Sequence, residues 1–256
     1  MLISDFDGVI VDGMAEYWWS ARRAAAQLLP VGSQLPEAVP EAFQQLRPQV
    51  HHGWEMPLLA AVIAGYGQPL AAFQSDYAAA LAASQQQLGW SQAQLSAALD
   101  AVRQQAIATD REAWLKLHRP YPWMLSCLQR LESEGVPWGV LTTKSASFTA
   151  ELLRSHQLHP LVIYGREDGP KPEVLLRLLA QDASGGPWHF LEDRRLTLEA
   201  VRAVPALDGV HCLLATWGYL RPGDDQDLPS GIKLLEPEQL DNPLAQWPEA
   251  AIVQPN

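Results

Sequence analysis

Ser4-Asp5-Phe6-Asp7-Gly8-Val9-Ile10-Val11-Asp12-Gly13 follows the apolar run Met1-Leu2-Ile3 and decides how the rest of the chain is read. Three apolar residues ahead of a polar turn are too short for a helix and suit a buried strand. The stretch therefore puts two carboxylates, Asp5 and Asp7, just past a strand's carboxyl end. One carboxylate so placed can attack phosphorus and form an aspartyl-phosphate. The second can protonate the leaving alkoxide and then activate water. Gly8 permits the sharp exit from the strand. Asp and Gly are equally common in turns that merely close a strand, so these residues alone leave both readings open.

Working outward, similar apolar runs recur at 137–141, 161–164, 188–191 and 211–216, each bounded by Gly, Pro or charge. Helix-periodic segments lie between most of them, at 123–134, 146–156, 173–181 and 196–204. Strand and helix in alternation predict an α/β fold, a doubly wound and mainly parallel sheet of Rossmann-like type. The interval 14–118 differs, being rich in Ala, Gln and Leu with turn signals at 30–40, Gly53, 65–69 and 89–91. It predicts four or five helices inserted after the first strand, an α-helical cap over the end of the sheet where ligands bind. The expected division is 1–13 with 119–256 as the α/β core and 14–118 as the cap. The Pro- and Gln-rich tail from Pro237 is expected to be loosely ordered.

Three further strand ends carry polar residues suited to one site. Thr142-Thr143-Lys144 offers a hydroxyl and amides to a phosphoryl oxygen, although Thr143 or Ser145 could instead cap the following helix. Lys171, between Pro170 and Pro172, starts a helix and is held more closely than a surface lysine, which it would otherwise resemble. Glu192-Asp193 can complete an oxygen-ligand site for Mg²⁺, or can be an exposed acidic turn. Their agreement in nucleophile, hydroxyl, cation and metal ligand favours a shared phosphoryl-transfer site.

In this pattern the chain resembles the haloacid dehalogenase superfamily, on Asp5-Phe6-Asp7-Gly8, Thr142, Lys171 and Glu192-Asp193. Pro120-Tyr121-Pro122, Leu141-Thr142-Thr143-Lys144, Lys171-Pro172 and Thr216-Trp217-Gly218-Tyr219 are similar to its phosphoglycolate-phosphatase-like branch. The resemblance implies a Rossmann-like core with a helical cap, Mg²⁺ as cofactor, and hydrolysis of a small phosphorylated metabolite. It implies Asp5 as nucleophile and metal ligand, and Asp7 as acid/base that also ligates metal. Thr142 and Lys171 would hold the phosphoryl group, with Thr143 and Lys144 beside it. Asp193 would bind metal, with Glu192 a direct or water-mediated partner. An acid at position 7 separates the chain from true dehalogenases. Many relatives carry a second acid where this chain has Thr197. A phosphomutase, or a scaffold that kept the fold without turnover, are the competing readings.

Substrate choice is expected to reside in the cap, where the segment from Arg47 to Glu55 gathers polar and aromatic residues. Arg47 would be the partner of a second anionic group. His118-Arg119 reads as a structural hinge, and most of the ten tryptophans as core. A net charge of −11 and a pI near 5.0 disfavour nucleic acid and anionic membranes as partners. Cys127 and Cys212 sit in apolar runs and indicate neither disulfide nor zinc. With no secretory leader pattern and no apolar stretch of roughly 18 residues, the expectation is a soluble cytoplasmic monomer or homodimer.

Overall fold

The structure is a computed structural model and describes residues 1–182 and 185–248. Its chain divides into two compact units, residues 1–12 with 120–256, and residues 13–119. The first unit holds a six-stranded sheet of β1 (Leu2–Ser4), β4 (Trp138–Leu141), β5 (Val162–Tyr164), β6 (Trp188–Glu192), β7 (Val210–Ala215) and β8 (Ile232–Leu235). Short strands β2 (Val11–Asp12) and β3 (Arg119–Pro120) mark the two places where the chain leaves and re-enters this unit.

The sheet order is β5-β4-β1-β6-β7-β8, and every neighbouring pair runs parallel. Its central strands are apolar nearly throughout because helices cover both faces. All residues of β1, β4, β6 and β7 are buried. Order places β1 between β4 and β6, with Leu2 in register with Trp138 on one side and His189 on the other. The connections thus diverge at β1, and in such sheets the crevice beyond the strand ends at this switch point receives ligands.

The intervening helices are α7 (Pro122–Ser133), α8 (Ala146–Ser155), α9 (Lys171–Gln181) and α10 (Arg195–Arg202). Proline begins α7, where its missing N–H is no loss. Ser145 caps α8, its Oγ accepting from Phe148 N at 3.3 Å. The sixth strand, β8, lies outside the runs expected from sequence. The region from Pro237 is more ordered than expected: 3-10 turns span Pro237–Asp241 and Leu244–Gln246. Trp247 is 2% exposed and packs edge to face with His189, their ring centroids 6.3 Å apart, while Arg130 donates to the carbonyls of Leu240 and Asn242. The last residues of that tail, 249–256, lie outside the described part. Both cysteines are free and buried.

The second unit is helical: α1 (Met14–Leu28), α2 (Glu41–Leu46), α3 (Glu55–Ile63), α4 (Leu70–Ser75), α5 (Tyr77–Leu88) and α6 (Gln92–Leu115). The helices outnumber the expected four or five because Asp76 ends α4 and caps α5, its carboxylate accepting from Ala79 N at 3.0 Å, and because Asp110, with φ of −151°, breaks α6 in two. Tyr17, Trp18, Phe43, Leu58, Leu59, Leu95 and Leu99 form its buried interior. Glu16 and Arg103 are buried there as a two-pronged ion pair, with both contacts at 2.7 Å. His118 is also buried, its Nδ1 3.2 Å from the carbonyl of Trp114, a structural placement. Among the described residues no helix is long and apolar enough to cross a membrane.

Candidate active site

Asp5 directly follows the central strand, and its N–H donates to the carbonyl of Leu191 at 2.8 Å. This bond continues the ladder one residue past β1 and turns the Asp5 side chain toward the end of β6. The chain then reverses tightly, with Ile10 N and Val11 N both donating to the carbonyl of Phe6. Gly8 makes the turn possible with φ of +90°, and a Cβ there would lie 2.0 Å from Asp193 Oδ2. Asp7 sits on this turn, its Oδ1 3.5 Å from the ammonium of buried Lys144.

The end of β4 supplies Thr142, 2% exposed, whose N–H donates to the carbonyl of Tyr164. Its Oγ1 accepts from Lys144 N at 3.1 Å, which orients the hydroxyl and leaves its own O–H to donate elsewhere. Thr143, by contrast, is exposed, and Ser145 takes the capping role that Thr143 could have taken.

Lys171 is the first residue of α9 and is 8% exposed. Its Nζ lies 2.8 Å from Asp5 Oδ1 and 2.6 Å from Glu192 Oε2. Glu192, the last residue of β6, also accepts through Oε1 from Arg194 N at 3.2 Å. Asp193 follows, and its Oδ2 accepts from Tyr219 N at 2.8 Å. Oxygens of Asp5, Glu192 and Asp193 lie within 4.8 Å of one another.

One buried ammonium thus pairs with two of the three clustered carboxylates, Asp5 and Glu192. Burial raises the Glu192 pKa well above the usual carboxylate value, and the charge of Asp5 adds to this while Lys171 opposes it. Burial alone would lower the Lys171 pKa, but Asp5 and Glu192 together raise it well above the ordinary lysine value. Three clustered acids set against one ammonium leave a surplus of acidic groups. A divalent cation with hard oxygen ligands fits that donor set and would relieve the imbalance.

Arg47 belongs to the helical unit, where its guanidinium lies 4.6 Å over the ring of Tyr17. The other sequence-derived candidates, Asp5, Asp7, Thr142, Thr143, Lys144, Lys171, Glu192 and Asp193, all belong to the first unit at the carboxyl end of its sheet. Sequence reasoning assigned no role to Gly218 or Tyr219, both of which touch Asp193. Their signal was the Thr216-Trp217-Gly218-Tyr219 wording after a buried strand, which local pattern alone could not connect to an acid 26 residues earlier.

A family model described as haloacid dehalogenase-like hydrolase matches residues 1–181. The chain belongs to that family. As a haloacid dehalogenase-like hydrolase it is an enzyme class member whose matched segment carries Asp5, Asp7, Thr142 and Lys171. Glu192 and Asp193 fall beyond the match, and the folded sheet is what brings them to Asp5. No curated protein matches the sequence.

Among solved structures, a haloacid dehalogenase-like family hydrolase from Streptococcus pneumoniae is 18% identical with a TM-score of 0.58, covering 93% of this chain and 95% of its own. A predicted phosphoglycolate phosphatase from Haemophilus somnus is 16% identical with a TM-score of 0.59, covering 94% and 95%. A provisional β-phosphoglucomutase from Thermotoga maritima is 16% identical with a TM-score of 0.55, covering 93% and 95%. At these identities the likeness is one of fold.

Proposed function

We propose that this haloacid dehalogenase-like hydrolase is a Mg²⁺-dependent phosphatase acting on a small phosphomonoester metabolite. The observation that carries the reading is the placement of one ammonium, Lys171, between Asp5 at 2.8 Å and Glu192 at 2.6 Å, with Asp193 adjoining. Such a cluster suits the in-line displacement of a charged phosphoryl group, whose chemistry is mostly positioning and charge neutralisation.

In this reading Asp5 attacks phosphorus through a carboxylate oxygen and the ester oxygen departs, giving an aspartyl-phosphate. Asp7 gives that leaving oxygen a proton, then takes one from the water that hydrolyses the intermediate. Thr142 donates its hydroxyl to a phosphoryl oxygen, and the Lys171 ammonium offsets charge on both nucleophile and phosphoryl group. Thr143 and Lys144 line the same end of the sheet. Asp5, Asp193, the backbone carbonyl of Asp7 and, directly or through water, Glu192 would hold Mg²⁺, which supplies charge stabilisation to the phosphoryl oxygens when bound. The helical unit, inserted between β1 and β4, acts as the cap that selects substrate, and Arg47 is its proposed partner for a second anionic group. The protein works as a cytoplasmic monomer or homodimer.

Purified protein with Mg²⁺ and an aryl phosphate tests the reading. Phosphate release without any acceptor sugar, abolished by Asp5→Asn and by chelation, is the expected result. Release that requires an acceptor sugar would move the enzyme to phosphomutase. No turnover across a broad panel of phosphate esters would leave a protein that kept the fold alone.

A further inference from the structure

The turn that follows β7 makes a set of contacts that the reaction as described does not use. Trp217 donates from Nε1 to the carbonyl of Val9 at 3.0 Å. Gly218 lies so close to Asp193 that a Cβ there would sit 2.1 Å from the Asp193 Cβ. Tyr219 donates its N–H to Asp193 Oδ2 at 2.8 Å and its hydroxyl to Asp12 Oδ1 at 2.7 Å. Its ring borders Gly8, where an added Cβ would come within 2.8 Å of Tyr219 Cδ2. One turn is therefore fastened at once to the segment that follows Asp7 and to the acid that follows β6.

We infer that Tyr219 is a positioning residue for the cation site, with its phenol anchored on Asp12 so that its own N–H fixes the Asp193 carboxylate. The inference rests on the proposed cation site and deepens it. A carboxylate ligand rotates freely about its last bond unless a donor holds one of its oxygens, and such outer partners commonly set metal affinity. Tyr219 meets that need through its backbone, and a backbone donor is only as well placed as the side chain that pins its residue. Asp12 is also the last residue of the first unit before the chain enters the helical unit.

The test is direct Mg²⁺ binding to the full-length protein by titration calorimetry, with phosphatase kinetics in parallel. Tyr219→Phe removes the hydroxyl but keeps the ring over Gly8. It is expected to weaken Mg²⁺ binding by roughly tenfold, the lower end of what outer-shell partners contribute. Its loss in apparent Mg²⁺ affinity should exceed its loss in maximal rate. Asp12→Ala should weaken binding equally, and the double variant no further, because both remove one hydrogen bond. Asp12→Asn retains the acceptor oxygen and should stay within about twofold of the parent. Undiminished Mg²⁺ affinity in Tyr219→Phe overturns the inference, as does a double variant whose losses multiply. Asp193→Asn is the control: if it leaves Mg²⁺ binding intact, the cation site itself is wrong and the positioning role falls with it.

Discussion

The ammonium of Lys171 lies 2.6 Å from Oε2 of Glu192, a residue that reaches it from the end of β6 while Lys171 itself opens α9. The same nitrogen holds Asp5 at 2.8 Å, so one cation fixes the proposed nucleophile to the wall of its site. Removing this cation leaves the carboxylates of Asp5, Glu192 and Asp193 facing one another with little water to screen them. Breaking a buried pair from one side typically costs about 3–5 kcal/mol. Lys171→Met is therefore expected to lose activity and to lower unfolding free energy by about that amount in chelator, with Mg²⁺ restoring part of it. Urea denaturation with and without Mg²⁺ measures both effects, and an unchanged midpoint would show that Lys171 does not balance these charges.

Asp7 stands on the Gly8 turn, beside Lys144 rather than among the three clustered acids. That separation suits a group that moves protons. Asp7→Asn should keep the fold and reduce turnover on the order of a hundredfold or more, the usual scale of general acid/base help. Steady-state kinetics beside a circular dichroism spectrum checks this. A rate unchanged within twofold would remove the role.

His189 lies on β6 in register with His211 on β7, with ring centroids 5.0 Å apart and both side chains buried. Burial lowers the His189 pKa to about 4, and the neighbouring His211 adds to the effect. The unfolded chain, with an ordinary histidine value of 6.5, binds this proton more readily than the folded one. Stability from His189 is thus present above pH 6.5 and is lost as pH falls toward about 4, in all roughly 3 kcal/mol. His189→Phe should flatten that part of the pH-stability curve. Urea midpoints between pH 4 and pH 7.5 provide the measurement, and a parallel decline in both proteins would reject the assignment.

In the helical unit, Glu16 in the first turn of α1 meets Arg103 on α6 through two contacts of 2.7 Å, with side chains 0% and 5% exposed. Arg103→Leu leaves the Glu16 carboxylate with the Ser20 hydroxyl and with His118 at 3.9 Å but without its guanidinium, and should destabilise the protein by about 3–5 kcal/mol. The double change Glu16→Leu with Arg103→Leu should recover most of it, since the uncompensated charge is gone. Thermal or urea unfolding of the two variants decides the matter. Equal losses in both would mean that packing, not charge, dominates there.

The strands that build the site are legible because β1, β4, β6 and β7 are buried throughout and read as short, mainly apolar runs. Strand β8 is not legible in the sequence because it lies at the sheet edge, where exposed Lys233 breaks its apolar pattern. The helix boundary at Asp76 is hidden for a related reason: an aspartate within an Ala-rich stretch marks a boundary only through its bond to Ala79 N. The sequence also led to an expectation of loose order after Pro237, yet Leu240, Leu244 and Trp247 are buried by tertiary contacts that composition does not reveal.

Sequence alone determined the α/β class, the inserted helical segment and the identity of the polar residues at three strand ends and at the start of α9. Those are local properties, set by the period of apolar residues and by which polar groups interrupt it. Tertiary structure decided what those residues do to one another. Placing β1 between β4 and β6 brings Asp5, Glu192 and Asp193 within 4.8 Å and sets Lys171 against two of them. It also carries Tyr219 to Asp193 and Asp12, contacts that span 26 and 207 residues. Such distances are closed by strand order and by the glycines at 8 and 218, whose missing side chains leave room for the Asp193 side chain, and the sequence pattern does not show which residue fills that room.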